Sequence, residues 1–151
     1  MAAVRQLCDE APRRGPFVQL QPRTRHGVPG IAVAVSPREW APSLLRHVMR
    51  HGGALVRARP MGMGEALDED YVVLVCEDTT SFLTRELVER LHERGRMVLG
   101  LHDPRDAAGR RRLLALDVDG ILETIAQPSR ILEHVRLLVT LVPDALPIEW
   151  A

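Results

Sequence analysis

A chain of 151 residues, 46% apolar but only 3% aromatic, has room for one domain whose core is built from Leu, Val, Ile and Ala. All 20 basic residues are arginine, which excludes chemistry that depends on a lysine amine, such as a P-loop or a Schiff-base site. Formal charge is zero overall, yet five arginines against Asp9 and Glu10 leave residues 1–29 at +3 and the remainder at −3; neither portion has the clustered basic stripe of a nucleic-acid surface.

Residues 1–29 carry Pro12, Gly15, Pro16, Pro22, Gly27 and Pro29 among arginines without sustained periodicity, and read as a mobile leader in which Val18 and Leu20 are candidates for a short edge strand. From residue 30 to residue 143 the pattern becomes one of short apolar runs alternating with amphipathic stretches. Ile31 to Val35 reads as a first strand, stopped by Ser36 and Pro37. Leu44, Leu45, Val48 and Met49 then mark the buried face of a helix that begins around Pro42 and ends at Gly52 and Gly53. Ala54 to Ala58 is a second strand, followed by a turn-rich segment over Pro60 to Leu67 with space for one helical turn. Met61 and Met63 in that segment read as loop packing.

Tyr71 to Cys76 is the strongest strand signal, a near-continuous apolar run suited to the centre of a sheet covered on both faces. Thr79, Thr80 and Ser81 stand where a helix cap belongs, Leu83, Leu87, Val88 and Leu91 supply the helix's buried stripe, and Gly95 closes it. Met97 to Leu101 is a fourth strand, ended by His102, Asp103 and Pro104. Asp106 to Leu116 reads as a helix, within which Arg110, Arg111 and Arg112 form a solvated face. Gly120 to Thr124 is a fifth strand, and Ile131, Val135, Leu138 and Val142 mark a last helix before an irregular tail at 144–151. Strands alternating with helices require right-handed crossovers, hence a five-stranded parallel sheet with helices on both faces: the flavodoxin-like, doubly wound plan, strand order 2-1-3-4-5.

In such a sheet a ligand lies beyond the carboxyl ends of the strands. The residues brought there are Ser36 and Arg38 after the first strand, Cys76, Glu77, Asp78 and Thr79 after the third, His102 and Asp103 after the fourth, and Gln127 before Pro128 after the fifth. Only the middle position offers paired carboxylates, and Glu77 with Asp78 reads as a solvated acidic loop ahead of a helix rather than as a metal site. His102 beside Asp103 suggests a general base or, more simply, a turn with a hydrogen-bonded imidazole. His47 and His51 have the i, i+4 spacing of metal ligands but no glutamate between them in the HExxH arrangement. Cys8 and Cys76 form neither a CxxC pair nor a disulfide framework, which suits a reducing cytoplasm. No apolar run approaches the roughly 20 residues of a membrane helix, so a cytoplasmic protein without membrane insertion is expected.

The stretch Met97 to Leu138, MVLGLHDPRDAAGRRRLLALDVDGILETIAQPSRILEHVRLL, resembles the last two βα units of degenerate receiver domains at the N-termini of actinobacterial CpaE/TadZ-type proteins. Those proteins are MinD/ParA-like ATPases linked to pilus assembly and polar placement. Val118 to Leu122 followed by Pro128 and Ser129 is similar to the exit of ordinary receivers of the CheY type, with Gln127 where they place a lysine. The resemblance implies a phosphoacceptor region at Cys76, Glu77, Asp78 and Thr79 that has lost its acidic partners on the first strand, here Ser36, Pro37 and Arg38. It also implies a partner-binding face formed by the fourth helix, fifth strand and fifth helix, mapped here onto Arg110, Arg111, Leu114, Ile125, Arg130 and His134. No Walker A loop is present, so the ATPase half of such proteins has no counterpart. A second stretch, Thr79 to Gly95, is similar to the corresponding helix of cobalamin-binding domains, although their DxHxxG loop is replaced here by Ser36 to Trp40.

These readings lead to a non-catalytic pseudo-receiver that binds a protein partner or a second copy of itself, with no cofactor, no metal and no nucleic acid. The competing expectations are a small-molecule sensor or a small enzyme using His102, Asp78 or Cys76 at the strand ends. Trp40 and Trp150 are further candidates for partner contacts or for packing over a core edge.

Overall fold

The computed structural model describes residues 24–25, 28–34, 38–59 and 61–141. In chain order the elements are β1 (Thr24–Arg25), β2 (Val28–Ala34), α1 (Trp40–His51), β3 (Leu55–Arg59), α2 (Met63–Asp68), β4 (Val73–Glu77), α3 (Arg85–Glu93), β5 (Met97–His102), α4 (Ala107–Ala115), β6 (Gly120–Glu123) and α5 (Pro128–Thr140). The strands β2 to β6 are parallel and lie in the order β3-β2-β4-β5-β6, which is 2-1-3-4-5 counted from β2. Ile31 stands opposite both Val56 and Val73, Val75 opposite Leu99, and Leu101 opposite Leu122. The doubly wound architecture expected from the sequence is therefore present.

Two cores follow from the alternation of side chains along the strands. Ile31, Val33, Val73, Val75, Leu99 and Leu101 face α1 and α5, where Leu44, Ile131, Val135 and Leu138 meet them. On the other side Ala32, Leu74, Cys76 and Val98 face α2, α3 and α4 through Leu67, Leu87, Leu91 and Leu113. Small residues let α4 come close: a Cβ on Gly100 would lie 2.5 Å from Leu113 Cδ2, and one on Gly109 would lie 3.0 Å from His102 Cβ and 3.1 Å from Asp78 Oδ2. The start of α4 is thus pressed against the ends of β4 and β5, which sets up part of the site.

Several local expectations change. The first strand begins at Val28, ahead of the boundary drawn at residue 30, because Val28 and Pro29 pair antiparallel with Arg25 and Thr24 of β1. Val18, Leu20, Val142, Trp150 and the tail at 144–151 lie outside the described residues. Met49 is 86% exposed, so the buried stripe of α1 runs instead through Trp40, Ala41 and Leu44, with Val48 packed against it. The cap of α3 is Thr84, whose hydroxyl accepts from Leu87 N at 3.2 Å, rather than Thr79, Thr80 or Ser81. Asp106 caps α4 by accepting from Ala108 N at 3.1 Å, and Pro128 occupies the first turn of α5, where its missing N–H costs nothing. Met61, before α2, packs against the second core as loop packing predicts, and Met63 packs there as the first residue of α2 rather than from a loop.

Candidate functional site at the strand ends

Glu77 ends β4, and its side chain is not solvated: the residue is 6% exposed. A buried carboxylate needs several donors. Trp40, the first residue of α1, donates its indole N–H to Glu77 Oε2 at 2.6 Å, and Arg38 Nε stands 2.9 Å from Glu77 Oε1. Arg38 also donates from Nη1 to Asp103 Oδ2 at 3.1 Å. One guanidinium therefore spans the carboxylates that follow β4 and β5. Arg105 completes the shell of Asp103, with its backbone N 2.8 Å and its Nε 3.2 Å from Oδ1 and its Nη2 3.1 Å from Oδ2. The side chain of Arg105, then its backbone N–H, then Arg38 hold the Asp103 carboxyl well below the usual carboxylate range.

Asp78 is claimed by a second arginine. Arg112 Nη2 lies 2.6 Å from Asp78 Oδ2 and 2.9 Å from Asp106 Oδ2, so it ties the loop after β4 to the first turn of α4. The side chain of Asp78 is only 5% exposed. Both expectations for Glu77 and Asp78 as a solvated acidic loop are thus overturned, because each carboxylate has a guanidinium at bonding distance. The triplet Arg110, Arg111 and Arg112 likewise divides: all three are exposed, but Arg112 reaches back to Asp78 and Asp106.

A receiver's phosphotransfer reaction implies a divalent cation, and the carboxylates present here do not fit one. Oxygens of Glu77, Asp78 and Asp103 that would have to coordinate it already accept from Trp40, Arg38, Arg105 or Arg112. A guanidinium supplies neutralising charge but has no coordination site for a phosphoryl oxygen to share with a metal. Among the described residues no group of three or more His, Cys, Asp or Glu side chains is placed to hold a metal ion. His47 and His51 stack on each other at 4.7 Å between ring centroids.

The remaining strand-end residues separate. Cys76 points to the opposite face of the sheet, in the core beneath α3, where burial pushes its thiol up to about 12 and keeps it unionised. Thr79 is exposed, and Ser36 and Pro37 lie outside the described residues. His102 is 6% exposed and directs Nδ1 to the backbone carbonyl of Asp103 at 3.0 Å; the Asp103 carboxylate is engaged by arginines. No His–Asp dyad exists here, and the hydrogen-bonded turn is the reading that holds. His102 and Gln127 instead line a separate cavity of about 490 Å³ at the end of β6, together with Arg110, Glu123, Ile125 and Arg130.

That cavity opens on the side of the sheet where β6 is the last strand. Along the same side, α4 presents Arg110, Arg111 and Leu114, and α5 presents Arg130 and the half-buried His134, whose ring burial and the Arg130 charge hold below its ordinary basicity. His134 is packed so tightly that a Cβ on Gly120 of β6 would fall 2.9 Å from its Nε2. Leu114 is 57%, Ile125 70%, Leu137 56% and Leu141 67% exposed. Leu137 and Leu141 continue the helical stripe of Arg130 and His134 at spacings of three and four residues. The sequence pattern did not single them out, because a leucine in an apolar-rich helix is assigned inward unless the register of the buried set, Ile131, Leu132, Val135, Leu138 and Val139, is known.

No family model matches the sequence, and no curated protein matches it. Solved structures do. A CpaE2 pilus assembly protein from Sinorhizobium meliloti is 21% identical, with a TM-score of 0.52 over 72% of this chain and 98% of that one. A pilus assembly-related protein from Burkholderia pseudomallei is 17% identical, with a TM-score of 0.56 over 74% of this chain and 89% of that one. A CheY-like receiver domain protein from Methanospirillum hungatei is 13% identical, with a TM-score of 0.59 over 78% of this chain and 98% of that one. At these identities the likeness is one of fold. The chain carries the flavodoxin-like fold of CheY-like receiver domains, and among its structural neighbours are a CpaE2 pilus assembly protein and a pilus assembly-related protein.

Proposed function

We propose that the chain is a non-catalytic pseudo-receiver that works as a protein-interaction, signalling or localisation module of the cytoplasm. The observation that carries this reading is the position of Arg38, whose guanidinium sits between Glu77 and Asp103, where phosphotransfer would need carboxylates free to hold a cation. With Arg112 on Asp78, every acidic group at the ends of β4 and β5 is neutralised internally. A phosphoryl donor would meet no metal and no lysine, since the chain has none. What the fold retains is surface: Arg110, Arg111, Leu114, Ile125, Arg130 and His134 with Leu137 and Leu141 make the α4–β6–α5 side the candidate for a protein partner or a second copy. Pilus assembly or a related secretion system is the process favoured by two of the structural neighbours.

A thermal-shift series with acetyl phosphate plus Mg²⁺, nucleotides and cobalamin tests the loss of chemistry. The expected result is no stabilisation by any of them, together with self-association or partner capture abolished by Leu137→Ser. Metal-dependent stabilisation by the phosphoryl donor would overturn the reading, and stabilisation by cobalamin or a nucleotide would favour a ligand sensor.

A further inference from the structure

The cavity at the end of β6 has a composition that selects among partners. Arg110 from α4 and Arg130 from α5 flank it, and among the described residues neither guanidinium has a carboxylate partner, unlike Arg38, Arg105 and Arg112 a short distance away. Ile125, 70% exposed, supplies an apolar wall. Buried at the cavity's inner side, His102 uses Nδ1 on the Asp103 carbonyl. A carbonyl only accepts, so Nδ1 is the donor of that bond, and Nε2 makes no hydrogen bond among the described residues. Gln127 adds an amide that makes no capping bond to α5, and Glu123 is the one carboxylate in the lining.

Two guanidiniums without a carboxylate partner among the described residues, beside an apolar wall, match a short peptide that is acidic and carries one branched apolar side chain. We infer that this cavity is the docking site for an acidic, apolar-anchored segment of a partner protein, with Arg110 and Arg130 gripping its carboxylates and Ile125 packing its apolar residue. The inference rests on the interaction-module reading and names the partner's chemistry. Charge complementarity decides against a second copy as the occupant. A second copy would have to fill the cavity with carboxylates, and its own lining offers Glu123 alone against two arginines, so an acidic segment of another protein complements it better.

The test uses the full chain and a fluorescein-labelled Asp-Asp-Leu-Asp-Asp peptide, followed by fluorescence anisotropy at low ionic strength. Saturable binding is expected, weakened roughly tenfold or more by Arg110→Glu and by Arg130→Glu, as loss of a charge-assisted hydrogen bond implies. Binding should also weaken with Ile125→Ser or with glycine in place of the peptide's leucine, and stay unchanged with Arg50→Glu on α1. The all-lysine counterpart of the peptide should not bind, a comparison that needs no protein variant to fold. No binding, equal binding of the lysine peptide, or binding indifferent to both arginine substitutions would overturn the inference. Absence of peptide binding in a chain that still sediments as a dimer sensitive to Leu137→Ser would do so while leaving the interaction-module reading intact; stabilisation by acetyl phosphate with Mg²⁺ would overturn the reading itself.

Discussion

The ends of β4 and β5 and the outer side of β6 are built from the same residue types and use them in opposite ways. At the first, Arg38, Arg105 and Arg112 each stand at bonding distance from a carboxylate, so the region is electrostatically closed. At the second, Arg110 and Arg130 have no carboxylate partner among the described residues and stand beside Leu114, Ile125 and Leu137, all more than half exposed. A charge satisfied within the fold contributes to holding the fold together; one left unsatisfied at the surface is available to something else. The contrast predicts that substitutions in the first region act on stability and those in the second on association.

The largest effect is expected from Arg38→Ala. It leaves the carboxylate of Glu77 buried without its guanidinium, and breaking such a pair costs about 3 kcal/mol, read as a lower urea midpoint. Pairing the change with Glu77→Gln should recover part of the loss, because the buried charge is then gone. Trp40→Phe removes the indole donor while keeping most of the apolar volume, with an expected cost of about 2 kcal/mol, in the range of hydrogen bonds to charged groups. If Arg38→Ala left stability unchanged, the strand ends would be open rather than closed, and the comparison would fail.

Acid should erode the closed region selectively. Asp103 is held below the ordinary carboxylate range chiefly by Arg105, and Asp106 is lowered by its hydrogen bond to Arg112. A carboxyl depressed in the folded state stabilises the fold above its unfolded value of about 3.9, and that contribution is lost as pH falls through the folded value. Urea midpoints measured from pH 6 downward should therefore fall gently at first, as His134 is held below its ordinary basicity in the fold, and then more steeply below about pH 4 as these carboxyls take up protons. Asp103→Asn should begin lower and decline less steeply. An identical slope in the variant would mean that the Arg105 and Arg38 contacts do not persist in solution.

How much of this was legible in the sequence depends on distance along the chain. The five parallel strands were readable because a strand buried on both faces writes itself as a local apolar run, as Val73 to Cys76 does. The closed network was not, because its partners are remote: Arg38 and Asp103 are 65 residues apart, and Trp40 and Glu77 are 37 apart. Position alone could place Arg38, Glu77 and Asp103 at the same edge of the sheet; only packing decides that they neutralise one another. Met49 failed for a different reason. Its spacing suits a buried stripe, but α1 packs against α5 and β3, and it is Val48 that reaches the core while Met49 stays exposed. The same limit hid Leu137 and Leu141 and left the interaction side known from Arg110 to His134 only.

The smallest stability change is expected on the outer side of β6, and it is the more discriminating one. Leu114→Ser and Leu137→Ser replace side chains that are already more than half exposed, so little apolar burial is lost and stability should move by less than about 0.5 kcal/mol. Neither residue is needed to satisfy a buried polar group. If this side meets a partner or a second copy, however, each leucine is desolvated on association, and its loss should lower the associated fraction in sedimentation velocity while the thermal midpoint stays in place. A fall in both together would show that these leucines belong to the core of the fold after all, and the division between a closed end and an open side would have been drawn in the wrong place.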